Sequence, residues 1–274
     1  MVREGNCTMT RVCVIGSNSD NYTRMVTRFL DEIDIEYVLI RERGLRTHQS
    51  TLTRIALRID SALNSHPYRA LPALSLYKYL KVLAAWRNRR GPRYRELIAT
   101  YEGYEPATTE KYTTPMINHV RTLRLLGNQD WDLCLLAGVG IVDQAVLDKF
   151  KICINAHPAR LPECRGGGAL INTLRYGLEP AVSVHRVTKD IDAGPIVSVR
   201  DVPIEKDDNM QLISLRLEIE CARELVHTAQ RVCEGEPLKD QSNDGKLHYW
   251  RDCTIDAQKA ADRELDKRLS ALDI

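Results

Sequence analysis

The chain has 274 residues, 43% hydrophobic and 28% charged, which are globular values that exclude wholesale disorder. Its 39 Lys and Arg against 37 Asp and Glu leave a net charge of +2, so no global field selects nucleic acid or membrane as partner. No apolar run approaches the roughly 18–20 residues of a membrane span, and Met1–Thr10 is too polar for a secretory leader, so a cytoplasmic protein is expected.

Short apolar runs rich in β-branched residues alternate with helical spacing, the pattern of a parallel sheet flanked by helices. Residues 11–16 read as a first strand. Ser17, Asn18, Ser19 and Asp20 then suit a helix cap ahead of Met25, Val26, Phe29 and Leu30. A second strand is expected over 35–40. Residues 44–120 show no convincing strand; 50–63 and 70–90 have helical spacing, and Arg87–Arg95 reads as a basic hinge, so a helical basic insertion is expected. Between Arg41 and Arg95, 13 Lys and Arg face only Glu42 and Asp60, a local charge of +11, and the remainder carries −9. Trp131–Ala137 is a third strand, followed by a Gly-Val-Gly turn and a short helix through Ala145, Val146 and Leu147. Residues 151–155 are a fourth. Ala181–Val187 and Pro195–Val202 flank an Asp/Gly loop and read as an antiparallel pair at the sheet edge. A long amphipathic helix is expected from Asp207 or Asp208 through Leu212, Leu215, Ile219, Ala222, Leu225 and Ala229, with a partly helical tail after it. The expected fold class is α/β, a doubly wound, mostly parallel sheet. It occupies residues 11–235, with a tail over 236–274.

The chemistry concentrates in Asn155-Ala-His157-Pro-Ala-Arg-Leu-Pro162-Glu-Cys-Arg165-Gly-Gly-Gly168. Asn155 is expected to end a buried strand, with His157 on the same side two residues later. Ligands in α/β sheets sit beyond the carboxyl ends of parallel strands, where this segment falls. The loop Thr188–Pro195 adds Asp190 and Asp192. Together these supply a general base, an oxyanion donor and an orienting carboxylate. His185, inside a predicted strand, reads as structural. The eight cysteines form no CxxC pair, and several lie in apolar runs, so reduced thiols are expected; Cys164, with no base of its own, reads as incidental.

The motif N-x-H-P-x-x-L-P-x-x-R-G over 155–166, followed by V-x-V-H-x-V over 182–187 and D-x-G-P-I over 192–196, resembles the 10-formyltetrahydrofolate-dependent formyltransferases. That family includes glycinamide ribonucleotide, methionyl-tRNA and amino-sugar enzymes. The resemblance covers residues 130–205 well and 11–40 loosely. It implies a Rossmann-like fold and a catalytic trio at Asn155, His157 and Asp192. It also implies 10-formyltetrahydrofolate as co-substrate, its pterin lined by Gly140, Ile141, Val142, Asp190 and Ile191, with Arg165, Gly166 and Gly167 toward the acceptor and no metal. The first turn lacks the glycine-rich phosphate cradle of the ribonucleotide enzymes, Ala159 and Arg160 depart from the usual pattern after His-Pro, and too little chain follows the last strand for the barrel of the tRNA enzymes. Lys246–Arg251 looks like the end of small-molecule or nucleotide-sugar formyltransferases. The expected reaction is N-formylation of a small primary amine, foremost a nucleotide-linked amino sugar; the basic insertion reads first as a solvated helical face, with contact to an anionic acceptor as the alternative. Amino-acid or peptide amines, or a non-catalytic folate-binding scaffold, are the alternatives. Neither DNA nor RNA is the expected partner, and a homo-oligomer is left open.

Overall fold

The computed structural model describes residues 10–18, 20–43, 91–249 and 252–272. The helices expected over 50–63 and 70–90, and most of the basic stretch 41–95, lie outside the described residues. Seven strands form one sheet in the order β3-β2-β1-β4-β5-β7-β8. These are β1 (Val12–Ser17), β2 (Tyr37–Glu42), β3 (Lys111–Thr114), β4 (Trp131–Ala137), β5 (Phe150–His157), β7 (Ala181–Arg186) and β8 (Ile196–Asp201). β3, β2, β1, β4 and β5 run parallel, and β7 and β8 close the edge antiparallel. The doubly wound, mostly parallel expectation is thereby met. Two short strands, β6 (Arg165–Gly166) and β9 (Leu247–His248), pair separately.

Period-two alternation gives the central strands two buried faces. Val12, Val14, Leu133, Leu135, Ile154 and Ala156 pack into one core with helices α1 (Asn21–Glu32) and α6 (Met210–Cys233). Cys13, Ile15, Cys134, Leu136 and Cys153 pack into the other with Trp131, Val146 and Leu147. Burying each such aliphatic side chain contributes about 1.5–3 kcal/mol. Both faces being covered explains why these strands read as nearly continuous apolar runs. The remaining helices are α2 (Pro92–Ala99), α3 (Val120–Leu126), α4 (Gln144–Leu147), α5 (Ala169–Arg175) and α7 (Ile255–Leu272). Ala261 and Leu265 of α7 join the first core, so the tail packs against the α/β body.

Several local expectations change. Residues 111–114 form an edge strand inside the segment taken as a wholly helical insertion. With Lys111 and Tyr112 exposed and, among the described residues, a neighbour on one side only, β3 has no apolar run to betray it. Arg93 and Arg95 belong to α2, not to a hinge, because Pro92 enters the helix at its first turn, where a missing N–H costs nothing. Helix α6 starts at Met210, since Asn209 rather than Asp207 or Asp208 caps it, accepting from the N–H groups of Gln211 and Leu212. Asp208 instead pairs with Arg216 of α6, which also meets Glu205. Strand β5 continues past Asn155 to His157, carrying both side chains on the face that Cys153 presents to the second core.

Candidate active site

The sheet order reverses at β1, and the catalytic candidates lie on the last residues of β5 and on the loop between β7 and β8. Asn155 and His157 share a face because they stand two apart on β5. The antiparallel partner of Asn155 is His185 on β7, so its imidazole enters the same group. Asp192 arrives from the loop between β7 and β8. Its backbone is left-handed, at φ 44°, a region an aspartate tolerates better than most residues. Asn243, buried, fixes that conformation by donating its amide N–H to the carbonyls of Asp192 (2.9 Å) and Gly194 (2.8 Å).

The side chains meet in a chain of polar contacts. Asp192 Oδ2 lies 3.4 Å from His157 Nδ1, and Asp192 Oδ1 lies 3.6 Å from His185 Nε2. Asn155 Nδ2 is 3.3 Å from His185 Nε2, and His185 Nδ1 is 2.9 Å from the Arg186 carbonyl. A carbonyl only accepts, so neutral His185 carries its proton on Nδ1, and Nε2 accepts from Asn155. His157 Nε2 is likewise 2.9 Å from the Cys164 carbonyl and must donate to it. Its Nδ1 therefore offers a lone pair toward the carboxylate. A proton arriving there is held by Asp192 on one side while Cys164 steadies the ring on the other.

Electrostatics set this up for base chemistry. His157 is only 6% exposed, and burial pushes its pKa below the ordinary imidazole value; Asp192 and the Cys164 carbonyl only partly offset that. Burial would raise Asp192, but His185, His157 and the backbone N–H of Gly166 together hold it below the usual carboxylate range. A neutral imidazole thus stands beside an ionised carboxylate near neutral pH. The Cys164 thiol is buried and pushed up in pKa, so it supplies its carbonyl to the site and no nucleophile.

The other expected residues frame this centre. Gly140 and Ile141 are exposed after β4, Ile141 at 63%, while the Val142 side chain turns into the second core. Asn118 ties that loop down, donating to the Ile141 carbonyl (2.9 Å) and accepting from the Asp143 N–H (2.8 Å). Asp190 is exposed, and so is Ile191, at 40%. Ile141 and Ile191 thus leave apolar surface exposed on the loops after β4 and β7. Arg165 donates to the carbonyls of Ile191 (2.7 Å) and Gly245 (3.3 Å), bracing the Asp192 loop. Gly166, at φ 93°, lies so close to His248 that a Cβ there would strike its carbonyl. Gly167 N–H is taken by the His248 carbonyl. Among the described residues no three His, Cys, Asp or Glu side chains group to hold a metal ion. No described helix is long and apolar enough to cross a membrane.

His185 and Asn243 were not legible as site residues. His185 sits inside an apolar strand, and only its register opposite Asn155 reveals it. Asn243 lies more than fifty residues from Asp192 in sequence.

Residues 101–228 match the family model described as formyl transferase. The methionyl-tRNA formyltransferase of Rickettsia typhi is 30% identical over 163 residues, 53% of this chain and 54% of that protein. The chain spans about half the length of the curated relatives it matches. Among solved structures, a sugar N-formyltransferase from a Shewanella species aligns over 93% of this chain and 87% of its own, with TM-score 0.55 and 12% identity. The N-formyltransferase from Helicobacter canadensis, solved with folinic acid and dTDP-3-aminofucose, aligns over 94% and 80%, with TM-score 0.53 and 13% identity. At such identities the structural likeness establishes the fold.

Proposed function

With residues 101–228 matching the formyl transferases, we propose that this chain moves a formyl group from 10-formyltetrahydrofolate to a small primary amine, foremost an amino sugar carried on a nucleotide. The observation that carries the reading is the cluster of Asn155, His157 and Asp192, with His185 bound into it. The folate supplies an activated formyl carbon. Asn155 donates its amide N–H toward the oxygen on which negative charge develops, a contribution typically of about 10²–10³ in rate. His157 takes the proton the attacking amine must lose, on Nδ1, where Asp192 stabilises it. His185 orients the Asn155 amide by accepting one of its hydrogens. The exposed faces of Ile141 and Ile191 and the backbone of Gly140 and Val142 take the pterin, and Arg165, Gly166 and Gly167 stand toward the acceptor.

Two observations bear on the acceptor. Sugar N-formyltransferases align over nearly the whole described fold, which supports a small nucleotide-linked amine. The curated sequence relatives act on methionyl-tRNA, which supports a charged tRNA as the second reading. Offering the protein 10-formyltetrahydrofolate with a panel of UDP- and dTDP-linked amino sugars, and separately with methionyl-tRNA, decides between them by mass spectrometry. A formylated sugar nucleotide bears out the first reading, and formylmethionyl-tRNA alone replaces it with the second.

A further inference from the structure

We propose that the cavity between the end of α5 and the β9 segment binds the nucleoside diphosphate portion of the acceptor; this rests on the sugar-nucleotide reading above. The cavity measures about 570 Å³, within the size range of small-molecule sites. Its wall carries two cations, Arg175 and Lys246, neither of which forms an ion pair among the described residues. Arg175 is held in place: its guanidinium lies 4.6 Å over the Tyr176 ring, and it donates to the Tyr176 hydroxyl (2.7 Å) and to the Asp252 carbonyl (3.1 Å). These partners leave its charge uncancelled. Among the described residues of the wall these two cations face a single carboxylate, Asp252, which accepts the Tyr249 N–H at 2.8 Å. The wall is therefore net positive, with a rigid fork suited to phosphate oxygens.

The same wall offers flat apolar surface. Tyr176 and Tyr249 are 50% and 46% exposed, and Tyr176 is backed by the His248 ring at 5.7 Å. Rings beside fixed cations match a base joined to a diphosphate. The position also suits an acceptor. Leu247 and His248 pair with Arg165 and Gly166, and Gly166 N–H reaches the Asp192 carboxylate. Farther back in the same segment, Asn243 holds the Asp192 carbonyl. One stretch of chain thus lines the cavity and sets the catalytic loop, so a ligand anchored in it can present an amine toward His157. The first β-strand turn offers no such place, because the Asp20 carboxylate already caps α1 there.

The test titrates the full chain with UDP and with dTDP by calorimetry, alongside inorganic diphosphate and uridine, and measures 5-formyltetrahydrofolate binding in the same samples. Lys246→Glu, at an exposed position, should weaken nucleotide binding at least about fivefold, and Tyr249→Ala should weaken it further when combined. Folate affinity should stay unchanged. Nucleotide affinity equal in wild type and in both variants would overturn the assignment, as would inorganic diphosphate binding as tightly as the nucleotides. Absent nucleotide binding with folate binding intact also overturns it, while leaving folate-dependent transfer to another amine in place. Nucleotide binding lost in the variants, with no folate binding by any form, keeps the cavity and removes the formyl-transfer reading. A variant that weakens binding of methionyl-tRNA but not of the nucleotides reassigns the cavity to RNA.

Discussion

The carboxyl ends of β1 and β5 face the same side of one sheet, yet they use their polar groups in opposite ways. After β1, Ser17 N–H donates to Thr23 Oγ1 at 2.9 Å, whose hydroxyl donates to the Ala137 carbonyl at 2.8 Å. Asp20 caps α1 through the Tyr22 N–H at 3.0 Å, and a Cβ on Gly138 would run into its carboxylate. An anion is what the start of a helix attracts, and here the chain supplies its own. At the end of β5, Asn155, His157, His185 and Asp192 instead engage one another at 3.3–3.6 Å. The fold offers both places; the side chains leave only the second open for chemistry.

The largest expected effect is at His157. His157→Ala should lower kcat by about 10²–10⁴ with an unchanged far-ultraviolet spectrum, since it removes the base. Asp192→Asn should cost about 10², and it should also move the pH profile. Neutral His157 is the active form, so kcat/KM falls as acid protonates it, through a pKa lying below the ordinary 6.5 because of burial. Removing the Asp192 charge takes away the opposing upward pull, so the acid limb should shift to still lower pH. Next comes Asn243→Ala, which frees the left-handed Asp192 loop and should lower kcat about 10- to 100-fold through misplacement, with an acid limb near that of wild type. The smallest effect belongs to the β1 turn. Asp20→Ala should cost about 0.5–2 kcal/mol of stability in urea melts, from the lost cap, with kcat within about twofold. A large kinetic loss at Asp20 with none at Asp192 would reverse the comparison.

How far this was legible in the sequence depends on whether the signal was local. β4 was read residue for residue, because Trp131–Ala137 is buried on both faces and flanked by turns. The edge pair β7 and β8 was read from the β-branched runs on either side of its Asp/Gly loop. β3 was invisible because an edge strand needs few apolar residues, and the short β6–β9 pair because two residues carry no period. The trio Asn155, His157 and Asp192 was expected from its motif, and the structure sets His157 against Asp192 and Asn155 against His185. Its supports came from pairing across distance: His185 by register, Asn243 by a return of the chain after α6, and the Cys164 carbonyl by a loop that folds under His157. No spacing rule on a single sequence reports such contacts. The basic charge read between Arg41 and Arg95 lies mostly outside the described residues, and the cations that line a cavity among them are Arg175 and Lys246 instead.

The central claim is that the end of β5 is where a formyl group changes hands. It is tested most directly by single-turnover reactions of wild type and His157→Ala with 10-formyltetrahydrofolate and an amine acceptor, followed by the mass of the acceptor. The account predicts that the wild type adds one formyl group to the acceptor in step with release of tetrahydrofolate, and that His157→Ala binds the folate equally well but transfers at least about 10² more slowly. Equal transfer rates for the two proteins, with folate bound by both, would contradict it.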